Sequence, residues 1–297
     1  MKKILLFFCV FFILTPLFAD NVDDDNESNT KDLTQIFHLY RDVDLVPAVN
    51  FQYDKHRIVI KEVFPQLESD KEDPSIDGFN DEVKKIVLAE AENFKNDVTK
   101  NLNHMQNIDA ANLRNNLYID FDTSSLISGD YHLVSIRFSI QGMLAGMAHP
   151  YHIHRVLNYN LDDNDVLSLS DLFIEDSDYL KVISNYVRSK LLRHLPNAQM
   201  VMDGTAPIDD NFKNWNIKPD GLLFTFDEYQ VAPYVNGPQT VLVPYSILKP
   251  LVDKESPIIG CVKHTRRCFD NNVLTGGFID LSVDTNHRRF NPILSKL

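Results

Sequence analysis

Residues 132–165 read HLVSIRFSIQGMLAGMAHPYHIHRVLNYNLDDND, and the alternation within them decides the fold class. His132, Val134, Ile136, Phe138 and Ile140 alternate with Ser135 and Arg137, the period-two signature of a strand with one buried face. From Ile153 to Leu161 the pattern repeats, with Ile153, Leu157, Tyr159 and Leu161 on one face. The cluster Asp162, Asp163, Asn164 and Asp165 then supplies turn chemistry. Upstream, Leu117, Ile119 and Phe121 alternate in the same way. Successive strands of this kind point to antiparallel sheet.

Two amphipathic stretches flank these strands. Over 81–98, Val83, Ile86, Val87, Ala91, Phe94 and Val98 form one apolar stripe among charged residues. Over 177–195, Leu180, Ile183, Val187 and Leu191 do the same before Pro196 and Asn197 stop the pattern. Ahead of the first helix, Arg57 to Phe64 reads as a strand, followed by Pro65 and an acidic loop from Glu68 to Asp77. Towards the C-terminus, Pro219, Asp220 and Gly221 mark a turn. Gly221 to Asp227 and Thr240 to Tyr245 alternate and are expected to pair. Tyr229 to Pro238 carries Pro233, Gly237 and Pro238 and is expected as a defined loop. The fold class is therefore α+β, mostly antiparallel sheet with two main helices; parallel βαβ winding is the alternative.

At the N-terminus, Lys2 and Lys3 precede an apolar run from Ile4 to Leu14, then Pro16 and a small residue at Ala19. This is the pattern of a secretory signal, with cleavage expected after Ala19. The run is shorter than the ~20 apolar residues that cross a bilayer, so no membrane anchor is expected after cleavage and the location is periplasmic or secreted. Cys9 lies inside that run and leaves with it. Loss of Lys2 and Lys3 takes the formal charge from −13 to −15. Such acidity argues against a nucleic-acid partner, whose phosphates need Lys and Arg, and favours a basic one. Residues 20–45 begin as an Asp/Asn/Glu/Ser/Thr tract expected to be a disordered linker, with structure starting near Val46. Cys261 and Cys268 remain, and in an oxidising compartment they are expected to form a disulfide.

Residues able to carry chemistry are few. His149, His152 and His154 form a histidine cluster, but no carboxylate or further histidine stands at a metal-site spacing from them, and surface or structural roles are the default. Thr225-Phe226-Asp227-Glu228 superficially matches the Thr-Phe-Asp-Asp start of polysaccharide deacetylases. Those enzymes also need two histidines four residues apart, a spacing absent here. There is no phosphate loop and no nucleophile elbow, and no metal or other cofactor is implied. The loop bearing Tyr229, Pro233, Tyr234 and Asn236 has the stiff aromatic character of a binding surface; alternatively its tyrosines pack on the hairpin beneath and fix its shape.

Several runs together carry a family resemblance: Ala148-His149-Pro150, Leu157 to Leu161, Leu167 to Phe173, Gly221 to Phe224, Tyr229 to Tyr234, Gly237-Pro238 and Val241 to Tyr245. They resemble the RsiV-like family, known from the extracellular domain of that anti-sigma factor. Ile58 to Pro65 and the helix containing Glu82 to Phe94 are similar to the domain that precedes the catalytic part of the deacetylase PdaC. After the signal segment 1–19 and the linker 20–45, the resemblance implies a PdaC-like domain 46–145 and an RsiV-like domain 146–252, and it leaves the extension 253–297 uncovered. It departs at Met147, where the family often has a second glycine. It implies a non-catalytic module whose ligand-binding set is Tyr229, Pro233, Tyr234, Asn236 and His149, with lysozyme or a related basic wall-directed protein as ligand. The alternative it leaves is an enzyme, or an accessory to one, acting on peptidoglycan glycan, in which the histidine cluster and Asp227 would have to hold a metal.

Overall fold

The computed structural model describes residues 37–40, 43–53, 58–104, 115–263 and 268–270. The expected signal at 1–19, and with it Cys9, lies outside them. Among the described residues, no helix is long and apolar enough to cross a membrane.

A large sheet follows chain order: β1 (Phe37–Tyr40), β2 (Val43–Tyr53), β3 (Ile58–Ser69), β4 (Asn115–Ser128), β5 (Tyr131–Met143), β6 (Tyr151–Asn160) and β7 (Asp165–Val166). All of its pairings along this path are antiparallel except β3 with β4. Those two run parallel because α1 (Pro74–His104) is the crossover between them. The antiparallel α+β expectation therefore holds, with one parallel unit inside it.

Both ends of this N-terminal region differ from the sequence expectation. Strand structure begins at Phe37, within the stretch expected to be linker. Strand β3 runs through Pro65 to Ser69, and Pro65 lies opposite Pro47 of β2, so both missing N–H donors fall on one rung of the ladder. Helix α1 begins at Pro74, inside the expected acidic loop. Asp73 accepts hydrogen bonds from the Ser75 backbone N–H (3.0 Å) and hydroxyl (2.7 Å), a side-chain cap with proline at the first helical position.

The predicted stripe of α1 is buried on the large sheet: Val83, Val87, Ala91, Phe94 and Val98 pack against Leu117, Ile119, Phe121, Val134, Ile136, Phe138 and Ile140. Asn80 brackets Leu67, accepting from its N–H (2.8 Å) and donating to its carbonyl (2.9 Å). Gly78 lets Tyr159 and Asn164 close on the helix, since a Cβ there would strike both side chains.

The other face of the sheet carries most of the remaining described elements. Helix α2 (Tyr179–Leu191) is shorter than the expected 177–195, but its stripe of Ile183, Val187 and Leu191 is fully buried. After α3 (Ala198–Gly204) come β8 (Trp215–Lys218), β9 (Gly221–Phe226) and β10 (Gln239–Pro244), an antiparallel sheet with β9 central. The expected pairing of β9 with β10 is present, with Gly221 opposite Pro244 and Phe226 opposite Gln239. Short helices α4 (Tyr245–Leu248) and α5 (Ile259–Val262) follow, and β11 (Cys268–Asp270) then returns to pair with β4. Leu126 and Leu133 of the large sheet join the core made by α2, β8, β9, β10 and α5.

Candidate functional site

Because side chains alternate along a strand, the residues of β4, β5 and β6 that do not face α1 must face the smaller sheet. These are mostly polar. Ser135, Arg137, Asn158, Asp122 and Ser124 are all buried, so β4 and β5 have two buried faces and not the one expected. Ser135 Oγ donates to Asn158 Oδ1 (2.6 Å) and accepts from Asn216 Nδ2 (2.9 Å) and the Ile217 N–H (3.0 Å). Asn158 Nδ2 reaches the Trp215 carbonyl at 2.9 Å. Arg137, 4% exposed, pairs with Asp122, 1% exposed, at 3.0 Å and donates to Thr225 Oγ1 at 3.3 Å. A polar seam thus joins the two sheets.

Further along β6 the seam becomes titratable. His152 and His154 share the face opposite Leu157 and Tyr159, as their phase in the strand predicts. Each meets an acid at the end of β9. His154 Nδ1 lies 2.6 Å from Asp227 Oδ1, which also accepts the His154 backbone N–H at 3.0 Å, while Asn214 Nδ2 reaches Asp227 Oδ2 at 3.3 Å. His152 Nδ1 lies 3.0 Å from Glu228 Oε1. Burial pushes the His154 pKa below its ordinary value, opposed by its hydrogen bond to Asp227 and reinforced by the Arg137 charge. Burial raises the Glu228 pKa against the attraction of His152.

Beyond the seam the protein opens into an aromatic shelf. Asp227 to Ala232 forms a tight turn in which the Gln230 N–H donates to the Asp227 carbonyl (3.1 Å) and the Tyr229 N–H to the Ala232 carbonyl (3.1 Å). Tyr229 adopts φ +67°, a left-handed conformation uncommon for a side chain of that size. Gln230 fastens the turn, donating to the carbonyls of Gly204 (3.1 Å) and Asn211 (2.9 Å); a Cβ at Gly204 would collide with the Gln230 carbonyl. Pro233 then opens a single 3₁₀ turn, Tyr234–Asn236, closed by Gly237 at φ +65°. The Tyr234 ring stacks on His149 at 3.9 Å and 30°, and its hydroxyl donates to the Pro150 carbonyl at 3.0 Å. Tyr229 lies 5.9 Å from Tyr234 and His152 lies 6.2 Å from it, centroid to centroid. Tyr229 is 58% and Val235 is 68% exposed.

Of the five expected ligand-binding residues, the structure brings His149, Tyr229 and Tyr234 together. Pro233 and Asn236 serve the turn, where the Asn236 N–H donates to the Pro233 carbonyl (2.9 Å) and its carbonyl accepts from Gln239 (2.9 Å). The histidine cluster divides: His149 is in the stack, while His152 and His154 aim their Nδ1 atoms at carboxylates. No group of three or more His, Cys, Asp or Glu able to hold a metal occurs among the described residues. Glu228, Gln230 and Asn214 were not expected at this site. Only the strand phase of His152 and His154 hinted that something buried must answer them. Met147 sits harmlessly: the turn's positive φ (+85°) falls on Gly146, and the Met147 N–H closes it onto the Leu144 carbonyl at 3.1 Å. Cys261 is buried in α5, which packs on β4 where Gly260 abuts the backbone of Ser128 and Gly129; Cys268 in β11 pairs with Ser128.

Comparison with known proteins agrees with the PdaC-like resemblance. Residues 170–246 match the family model "Protein of unknown function (DUF3298)". The chain is 30% identical over 145 residues to the peptidoglycan-N-acetylmuramic acid deacetylase PdaC of Bacillus subtilis, covering 48% of this chain and 30% of that protein. It is 27% identical over 106 residues to an esterase of Mycobacterium tuberculosis, covering 36% of this chain and 47% of that one. The chain thus spans less than half the length of either relative. A solved DUF3298-family structure from Bacteroides fragilis shares the fold at a TM-score of 0.51 and 17% identity, covering 74% of this chain and 96% of that one.

Proposed function

We propose that this chain is an exported, non-catalytic binding module of the cell envelope, and that the Tyr229–Tyr234–His149 shelf is where it takes its ligand. One observation carries the proposal: rings from two remote segments, 149 and 229–234, are assembled into one partly exposed surface by a strained turn and a stack. Rigid aromatic groups of this kind dominate binding energy where they occur. The similarity to a wall-directed deacetylase supports a site of action at the cell wall. The formal charge of −13 supports a basic protein as ligand, for which lysozyme is the natural probe.

A pull-down with lysozyme at low salt, quantified by calorimetry, tests this. Binding is expected, with Tyr234→Ala weakening it by about tenfold or more, roughly 1.4 kcal/mol, without unfolding the protein. Absence of binding at low salt would remove lysozyme as ligand. The competing proposal, a peptidoglycan-glycan enzyme or its accessory, draws on the same similarity. Metal analysis and a deacetylase assay on wall fragments decide it, and a metal-free, inactive protein removes it. The pairing of Cys261 with Cys268 belongs to the same extracytoplasmic proposal. Non-reducing mass spectrometry should find the two peptides joined, and free thiols would refute it.

A further inference from the structure

The shelf is composite. His149 comes from the turn between β5 and β6, whereas Tyr229 and Tyr234 come from the loop after β9. The seam that holds these parts together is graded along β6. At Asn158 it is made by Ser135, Asn216 and the Trp215 carbonyl, groups that do not titrate in the physiological range. Between there and the shelf it is made first by Arg137 with Thr225, opposite Val156, and then by His154 with Asp227 and His152 with Glu228. A seam pinned by neutral bonds at one end and by histidines at the other has a built-in hinge.

We propose that the His154–Asp227 pair is an acid-sensitive latch: on acidification the seam opens from its histidine end, pivoting about Ser135, Asn158 and Asn216, and separates His149 from Tyr234. The proposal rests on the shelf being the binding site described above and supplies its regulation. The groups facing His154 define the sign. Arg137 on β5 and His152 on β6 repel a charged imidazolium, and Asp227 attracts it, with Asp122 on β4 already committed to Arg137 and Ser139 lying directly opposite on β5. Burial outweighs the attraction, so closed His154 resists protonation relative to a solvated histidine. By linkage, acid favours any state in which that imidazole reaches water. Glu228 works against this: its raised pKa means that acid favours the closed form at that residue. Glu228→Gln therefore removes the opposition, and His154→Asn, which keeps a donor near the Nδ1 position, removes the latch's response.

The test needs no ligand, so it stands or falls separately from the binding proposal. Ring-proton NOEs between His149 and Tyr234, centred 3.9 Å apart in the closed form, are recorded from pH 7.5 to 4.5 alongside far-UV circular dichroism. The NOE is expected to vanish in the wild-type protein below the ordinary histidine range while the dichroism stays constant. In Glu228→Gln it should vanish at higher pH, and in His154→Asn it should persist. An NOE that survives at pH 4.5 in the wild type, that disappears equally in His154→Asn, or that disappears only as the dichroism collapses would overturn the latch.

Discussion

On one side of the large sheet, Phe94, Val87 and Val83 of α1 meet Phe121, Ile136 and Phe138 in a mainly apolar core. On the other side, Ser135, Arg137, Asn158 and Asp122 meet Asn216, Thr225 and Asp227. Apolar burial is non-directional and tolerates small slips, whereas hydrogen bonds between buried groups are satisfied in only one alignment. The helix side therefore supplies stability, and the seam side supplies registry between two sheets. Registry is what a shelf shared between two segments needs.

The largest departure should come from the helix side. Phe94→Ala, at a site 1% exposed, is expected to cost about 4 kcal/mol in a denaturant titration, the range for emptying a buried aromatic position. Next, Arg137→Met should cost about 3 kcal/mol, because the buried Asp122 loses the guanidinium that pairs with it at 3.0 Å. The comparison is sharpened by adding Asp122→Leu. If the pair serves alignment more than stability, the double variant recovers most of the loss in denaturation while the His149–Tyr234 stack loosens. Asn216→Ala should cost about 2 kcal/mol, since it strips donors from Ser135 Oγ and the Ile136 carbonyl. The smallest effect is the pH dependence of His154. Its folded-state pKa is depressed, so its contribution is complete above the unfolded value of ~6.5 and is lost as pH falls through the folded value. Urea titrations from pH 7.5 downward should show that loss, and His154→Asn should flatten it.

The helix-side architecture was legible because a single period governs each element. Val83 to Val98 and Val134 to Ile140 announce which face is buried, and those residues are buried. The start of α1 was missed because Asp73-Pro74-Ser75 lies in an acidic run that looks like loop until the Asp73 carboxylate is seen capping the helix. The seam was illegible for a more general reason. Polar residues alternating with apolar ones are what a solvated face looks like, and Ser135 and Arg137 carry no mark that another sheet will cover them. The shelf was half legible: Tyr229 and Tyr234 advertise themselves in a proline-rich loop, but their meeting with His149 depends on the seam. The acids at 227 and 228 are visible as a motif without a role, and only the packing of β6 against the end of β9 assigns them one.

The return of β11 to β4 bears on how the protein can be divided. The natural cut suggested by sequence, between residues 145 and 146, passes between β5 and β6, which are paired from Leu133–Asn160 to Gly142–Tyr151. A fragment ending there would expose the full edge of β5, and a fragment beginning there would carry β6 without a sheet to join. Stopping at residue 252 would remove β11 and bare the edge of β4 at Leu126 to Ser128. Truncation of this chain should be expected to trade solubility for convenience.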